Sequence, residues 1–270
     1  MNQYTFKCED GIKRGIISDH VLPFDKNIQK NITDIFYFFN NLDNALENND
    51  LNKPTCFVFE SEIDAFKWYD AGGGYALALN NTKNNYAQML NCMVEDKKRK
   101  HHLNAILLTP HLAKEIKLPF CFSIRHFNEC EIATDILFKA FSKLTDRDIV
   151  TPVHELLLNA IEHGNLGISN TEKKELIKNN MLYNVSLSLL NNPLNLKKTV
   201  NVKVDRTFFN GCEYLTFYIQ DQGSGFDWGK KQTTDETAQN GRGISITHSM
   251  VDLLSYNQTG NNAQISFKIN

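Results

Sequence analysis

Three segments in the second half of the chain carry residues whose types and spacing could do chemistry. In the first, Glu155, Asn159 and Glu162/His163 fall at i, i+4 and i+7/i+8, which on a helix puts them on one face, while Val153, Leu156, Leu157, Ala160 and Ile161 form an apolar stripe. A carboxamide oxygen is a hard, neutral ligand for Mg²⁺, and a carboxylate one turn away can orient or deprotonate an attacking hydroxyl. A solvated helix face can carry the same pair, so this alternative stays open. In the second segment a strand ending at Gln220 runs into Asp221, Gly223 and Gly225. Glycines there permit positive φ and close backbone approach, and a carboxylate at a strand end can accept a hydrogen bond from an exocyclic amine; a plain tight turn is the alternative. The third, Asn240-Gly241-Arg242-Gly243, opens an apolar helix expected from Ile244, where exposed N–H groups attract anions.

The elements that must position these residues follow from periodicity. Strands are expected at 4–8 and 14–18 around the Asp10-Gly11 step, and an amphipathic helix from Asp25 to about Glu47. Apolar runs at 56–59, 75–79, 106–108 and 120–124 alternate with helical stretches at 61–70, 84–100 and 110–116, the pattern of an α/β layer. It is similar to a response-regulator receiver but lacks a phosphoacceptor Asp, because the corresponding run ends in Asn80-Asn81. Gly72-Gly73-Gly74 lies between a helix and a strand and reads as a flexible connection. After Arg125 the register changes. Helices at 128–143 and 147–166, a polar helical stretch at 171–190, strands at 199–205 and 213–220, a helix at 244–253 and strands at 254–258 and 263–269 describe an α+β half. Two domains are therefore expected, 1–125 and 126–270.

Composition narrows the function classes. The chain has 270 residues, 41% hydrophobic and 22% charged, enough for sizeable cores. With 29 Lys+Arg against 31 Asp+Glu there is no positive excess for phosphate neutralisation, so direct nucleic-acid binding is not expected, and the run Lys97 to Lys100 reads as a solvated helix end. The first 125 residues hold equal numbers of acidic and basic side chains, so the net charge of -2 belongs to the second half. No apolar stretch reaches membrane-span length, the N-terminus has no long apolar region, and the six cysteines show no metal-ligand spacing. The expectation is a soluble cytoplasmic protein with reduced thiols and no membrane partner. His101 and His102 have no ligand-spaced partner, His154 should point away from the site, and His163 suits a structural bond at the helix end.

In order and spacing, the three segments resemble the N box, the DxGxG box and the second glycine box of the GHKL (Bergerat-fold) ATPase superfamily, over about 126–270. Glu155 to Ile168 and Asn240 to Ile244 look most like the branch of anti-sigma-factor serine/threonine kinases. The resemblance implies an α+β two-layer sandwich after the α/β N-terminal domain, with ATP and Mg²⁺ as cofactors. It implies Mg²⁺ coordination by Asn159 and a general base at Glu155. Adenine recognition would fall to Asp221 with Gly223 and Gly225, and phosphate contact to Gly241, Arg242 and Gly243, behind a lid at 226–240 carrying Lys230 and Lys231. The superfamily's threonine near the adenine has no obvious counterpart here, so either Gln264 substitutes for it or that contact is missing. The implied activity is phosphorylation of a small antagonist protein, with a sigma factor among the candidate partners and a homodimer left open. The alternatives are an ATP-dependent switch that sequesters a partner without kinase turnover, and the catalytic half of a histidine kinase. The last would need a phosphoacceptor histidine, which the helix at 128–143 lacks. The polar stretch 169–198 reads as a partner-docking insertion or as padding.

Overall fold

Periodicity and capping divide the chain into the elements seen in a computed structural model, which describes residues 37–39, 55–59, 61–78, 83–226 and 247–270. In chain order these are β1 (Tyr37–Phe39), β2 (Thr55–Phe59), α1 (Glu62–Asp70), β3 (Tyr75–Ala78), α2 (Lys83–Leu108), α3 (Pro110–Lys114), β4 (Phe120–Ile124), α4 (Phe127–Phe141) and α5 (Val150–Asn159). A π-helical turn (Ala160–Asn165) follows, then α6 (Asn170–Lys178), α7 (Leu182–Asn191), β5 (Val200–Phe209), β6 (Cys212–Gln220), β7 (Leu253–Tyr256) and β8 (Asn262–Lys268). They form two units. One comprises the described residues up to Glu95 with Glu175–Lys197, the other Asp96–Lys174 with Lys198–Asn270.

The first unit holds a parallel three-stranded sheet in the order β1-β2-β3. β2, α1 and β3 make a right-sized βαβ step. Ser61 starts α1 by accepting the Ile63 N–H through its hydroxyl, and the helix stops where Gly72 and Gly73 donate back to the carbonyls of Tyr69 and Trp68, both at 2.9 Å. The triple glycine is thus a built helix stop and not a loose connection: Gly72 has φ 84°, and a Cβ on Gly73 would lie 2.0 Å from the Trp68 ring. α7 packs on α1 and β3.

The second unit is α+β around an antiparallel sheet in the order β4-β5-β6-β8-β7. One face is apolar by strict alternation: Val202 opposes Ile219, Val204 opposes Phe217, and Phe217 opposes Ile265. Phe217 meets Phe267 edge-on at 5.7 Å. β5 and β6 are joined through Asn210 and Gly211, both with positive φ as a tight hairpin of this kind requires. α5 packs on α4 and reaches β6.

Several expectations change. β1 lies inside the stretch read as one helix from Asp25 to Glu47, because consecutive aromatics fit a strand as well as a helix once a neighbouring strand can pair with them. The remainder of that stretch, the strands at 4–8 and 14–18 and Asn80-Asn81 lie outside the described residues. Ile106-Leu107-Leu108 is the last turn of α2 and no strand: Met89, Cys92, Met93, Leu103 and Ile106 are buried at helical intervals along it. β4, expected in the α/β layer, pairs antiparallel with β5 in the second unit. The stretch 171–190 is two helices, broken at Asn180, whose φ is 55°. The helix expected to 253 gives way to β7 at Leu253.

Candidate functional site

Asp148 starts α5 by accepting the Val150 N–H at 2.8 Å, and the helix buries Pro152, Val153, Leu156 and Leu157. Glu155 and Asn159, one turn apart on its other side, are half-buried. Beyond Asn159 the ladder widens to the π turn, in which Leu166 N–H reaches back five residues to Ile161 O at 2.9 Å. Such turns are rare and commonly occur where function demands a side chain off the α-helical register. Glu162 and His163 therefore do not extend the Glu155–Asn159 face. Glu162 is buried and ion-paired with Lys173, and His163 bonds through Nδ1 to Ile168 O.

The π turn ends against the segment that follows β6. A Cβ on Gly164 would lie 2.3 Å from Asp221 Cγ, and one on Gly223 would lie 2.1 Å from the Gly164 carbonyl oxygen. The two backbones touch, and only glycine fits at either place. Asn165 fixes the register: its Oδ1 accepts the Gln222 N–H and its carbonyl accepts Lys198 Nζ, both at 2.8 Å. Asp221 donates its own N–H to Asn261 O and accepts the Gly223 N–H at Oδ1. Its Oδ2 accepts no hydrogen bond among the described residues. Burial pushes the Asp221 carboxyl above its usual range, against the opposing pull of the Gly223 N–H and the Lys198 charge. A half-desolvated carboxylate with one oxygen unused is receptive to an N–H donor from a ligand.

Gly225 closes the turn at φ 73°, and a Cβ there would lie 1.8 Å from Thr259 O. Phe226 and Tyr256 stand edge to face, 5.0 Å between centroids. Burial and the neighbouring Asp221 charge hold the Tyr256 phenol above its usual range, so the hydroxyl stays protonated. Of the two alternatives left for the threonine, the register disfavours substitution by Gln264. The ladder puts Ala263 opposite Ile219 and Tyr256, on the apolar face, and alternation turns Gln264 to the other face. That other face carries a shallow trough of about 760 Å³ near Cys121, Lys203 and Tyr218, on the opposite side of the sheet from this site.

These contacts join the helix bearing Glu155 and Asn159 to the turn bearing Asp221, Gly223 and Gly225. A family model described as a histidine kinase-like ATPase domain matches residues 128–268. The chain belongs to that family. In a histidine kinase-like ATPase of the GHKL type, the domain implies ATP binding. The site fits a purine nucleotide, with the half-buried Asp221 carboxylate available to an exocyclic amine and glycine backbone flanking it. No curated protein matches the chain. Among the described residues, no helix is long and apolar enough to cross a membrane. Gly241, Arg242, Gly243, Lys230 and Lys231 lie outside the described residues. Sequence reasoning missed Gly164, Asn165, Lys198, Gln222 and Tyr256. Gly164 and Asn165 stood within the quoted motif, but a glycine at a helix end has the ready explanation of a helix stop. Lys198 looked like the end of a polar insertion.

Proposed function

We propose that this histidine kinase-like ATPase is a cytoplasmic regulatory serine/threonine protein kinase of the anti-sigma-factor type, phosphorylating a small antagonist protein. The observation that carries the reading is the junction of Gly164, Asp221 and Gly223. It locks the Glu155/Asn159 helix to a carboxylate whose Oδ2 accepts no hydrogen bond among the described residues. α5 against β6 supports the two-layer α+β arrangement on which the assignment rests.

In this reading Asp221 accepts the adenine amino group, and Gly223 and Gly225 leave room for the base. Asn159 would hold Mg²⁺ through its carboxamide oxygen, the metal supplying charge compensation for the phosphates. Glu155, half-buried one turn before Asn159, would take the proton from the partner's serine hydroxyl. The hydroxyl oxygen then forms the new bond to the terminal phosphorus of ATP, and ADP leaves. Gly241, Arg242 and Gly243 are assigned to the phosphates through their backbone and charge. A protein substrate accords with the near-neutral total charge, which offers nothing to a nucleic-acid backbone.

The test is transfer of radiolabel from ATP to candidate antagonist proteins bearing serine or threonine, with wild type and Glu155→Gln compared. Transfer that falls by about 10²–10⁴-fold in Glu155→Gln, with ATP still bound, is expected of a lost general base. ATP binding without transfer to any partner would refute kinase turnover and leave a nucleotide-dependent switch.

A further inference from the structure

Residues Glu175–Lys197 leave the ATPase unit and return to it, and between the two crossings they belong to the β1–β3 unit. Both crossings are fastened to the π turn. Lys173, just before the exit, pairs with buried Glu162. Lys198, at the return, donates from Nζ to Asn165 O at 2.8 Å. The next residue, Thr199, gives its N–H to Gln222 Oε1, and the Gln222 N–H is held by Asn165 Oδ1, each at 2.8 Å. Exit and re-entry thus bear directly on the turn that sets Gly164 against Asp221.

At its far end the excursion is seated by polar groups. Asn184 and Asn191, seven residues apart and so on one face of α7, are only 5% and 4% exposed. The Asn184 amide donates to Asp70 Oδ1 at 2.7 Å, and the Asn191 amide to Gly74 O at 3.1 Å and to the Tyr69 hydroxyl at 3.2 Å, besides Leu187 O of its own helix at 2.9 Å. Neither side-chain oxygen has a donor among the described residues. A buried carbonyl left without a donor weakens a contact that leucines would make more stable, while the amide bonds keep its register specific. A specific seat of limited strength suits a helix that can leave it.

We propose that α6 and α7 form a relay: whether α7 is seated on α1 and β3 sets the π turn, and through it the Asp221 carboxylate, so that the β1–β3 unit controls nucleotide affinity. The output of the relay rests on the nucleotide-binding reading; the coupling itself does not. Linkage makes it reciprocal, so bound nucleotide must shift the seating of α7 by the same factor.

Amide hydrogen exchange on the full chain tests the coupling without nucleotide. Asn184→Ala with Asn191→Ala should speed exchange along α7 and also, by about fivefold or more, at the Leu166, Ile168 and Gln222 amides, which donate to Ile161 O, Glu162 O and Asn165 Oδ1. Adding the same pair of changes to a Lys173→Met, Lys198→Met background, which leaves only the Thr199–Gln222 bond at the re-entry, should leave the Leu166 and Ile168 amides unmoved. If the double asparagine variant does not fold, Asn184→Asp, which sets a second carboxylate against Asp70, loosens the same seat. Unchanged exchange at all three amides once α7 is loosened would overturn the relay. Calorimetric titration with Mg-ATP should then show affinities of wild type and the seat variant differing by about fivefold or more; equal affinities would overturn it too. Failure of wild type to bind ATP defeats the functional reading instead, and the exchange result alone then decides the coupling.

Discussion

The contact between Gly164 and Asp221 allows a sharp test, because a single methyl group should disable the site without replacing any residue assigned to chemistry. In Gly164→Ala the new Cβ would start 2.3 Å from Asp221 Cγ and 2.6 Å from each carboxylate oxygen. Ordinary contact begins near 3.4 Å, so the carboxylate must retreat by about an ångström, enough to take a hydrogen bond to a ligand amine out of range. Such a bond to a charged group contributes about 1.5–3 kcal/mol, which corresponds to about a 10- to 150-fold loss of ATP affinity. Overpacking of this kind costs the fold about 1–3 kcal/mol, a fall in Tm of roughly 2–12 °C for a chain of this class. The control is Gly74→Ala, where a Cβ meets nothing within 4 Å. Calorimetric titration with ATP and a thermal melt decide the matter. ATP affinity within twofold of wild type in folded Gly164→Ala would refute the argument that this junction aims Asp221 at the base.

Further outcomes follow from the same structure. Asp221→Asn removes a carboxylate that burial penalises, so its Tm should equal or exceed that of wild type above the ordinary carboxylate range, while ATP affinity falls by about tenfold or more in titration. Arg125, 1% exposed, bonds Asp96 Oδ2 at 2.8 Å, and Arg125→Met would remove one of the two arginines paired with that carboxylate, Arg99 remaining on Oδ1, so denaturant unfolding should show a loss of about 1.5–3 kcal/mol, that of one hydrogen bond to a charged group. His126 Nε2 also lies 2.8 Å from Asp96 Oδ2, yet burial and then the Arg125 charge push the imidazole down to about 3, so the ring is neutral and the contact is a hydrogen bond. The unfolded histidine takes up its proton from about pH 6.5 downward, so stability is full above that value and falls as pH is lowered, by roughly 1.4 kcal/mol one unit below it. Melts of wild type against His126→Gln between pH 4 and 7 should show this acid slope flattened in the variant.

The site was legible in the sequence wherever one residue type answers one local demand. Gly223 and Gly225 sit where backbone meets backbone or φ is positive, and Asp221 follows a strand whose alternation is unbroken from Leu215 to Ile219. Partner choice at long range was not legible. Phe120–Ile124 reads as a strand from its residues, but nothing in them says that the pairing runs antiparallel to Val200–Val204 across the whole intervening helical region. Ile106 to Leu108 fit a strand or a helix equally, and the burial of Leu103 and Ile106 along α2 decided for the helix. The choice left open at Gln264 had a related cause: its suitability rested on chemistry, while its face was fixed by a pairing register that assigns the apolar side to Ala263.

The π turn is the deepest of these cases, since it altered the motif itself. An uninterrupted 3.6-residue period carries Glu162 and His163 round to the face of Glu155 and Asn159, and the residue types make that arrangement chemically attractive. What competes with it is not local. Gly164 O must meet Gly223, the Asn165 side chain must reach the Gln222 N–H, and Glu162 must find Lys173 in a helix that begins after the turn. Widening the ladder within Ala160–Asn165 satisfies all three while leaving Glu155 and Asn159 in regular helix. The acidic residue nearest the glycines therefore holds the passing chain, and Glu155, about two turns earlier, stays half-buried in regular helix. Two carboxylates that the spacing treated as equivalent are separated into a fastening and a candidate base by one irregular turn.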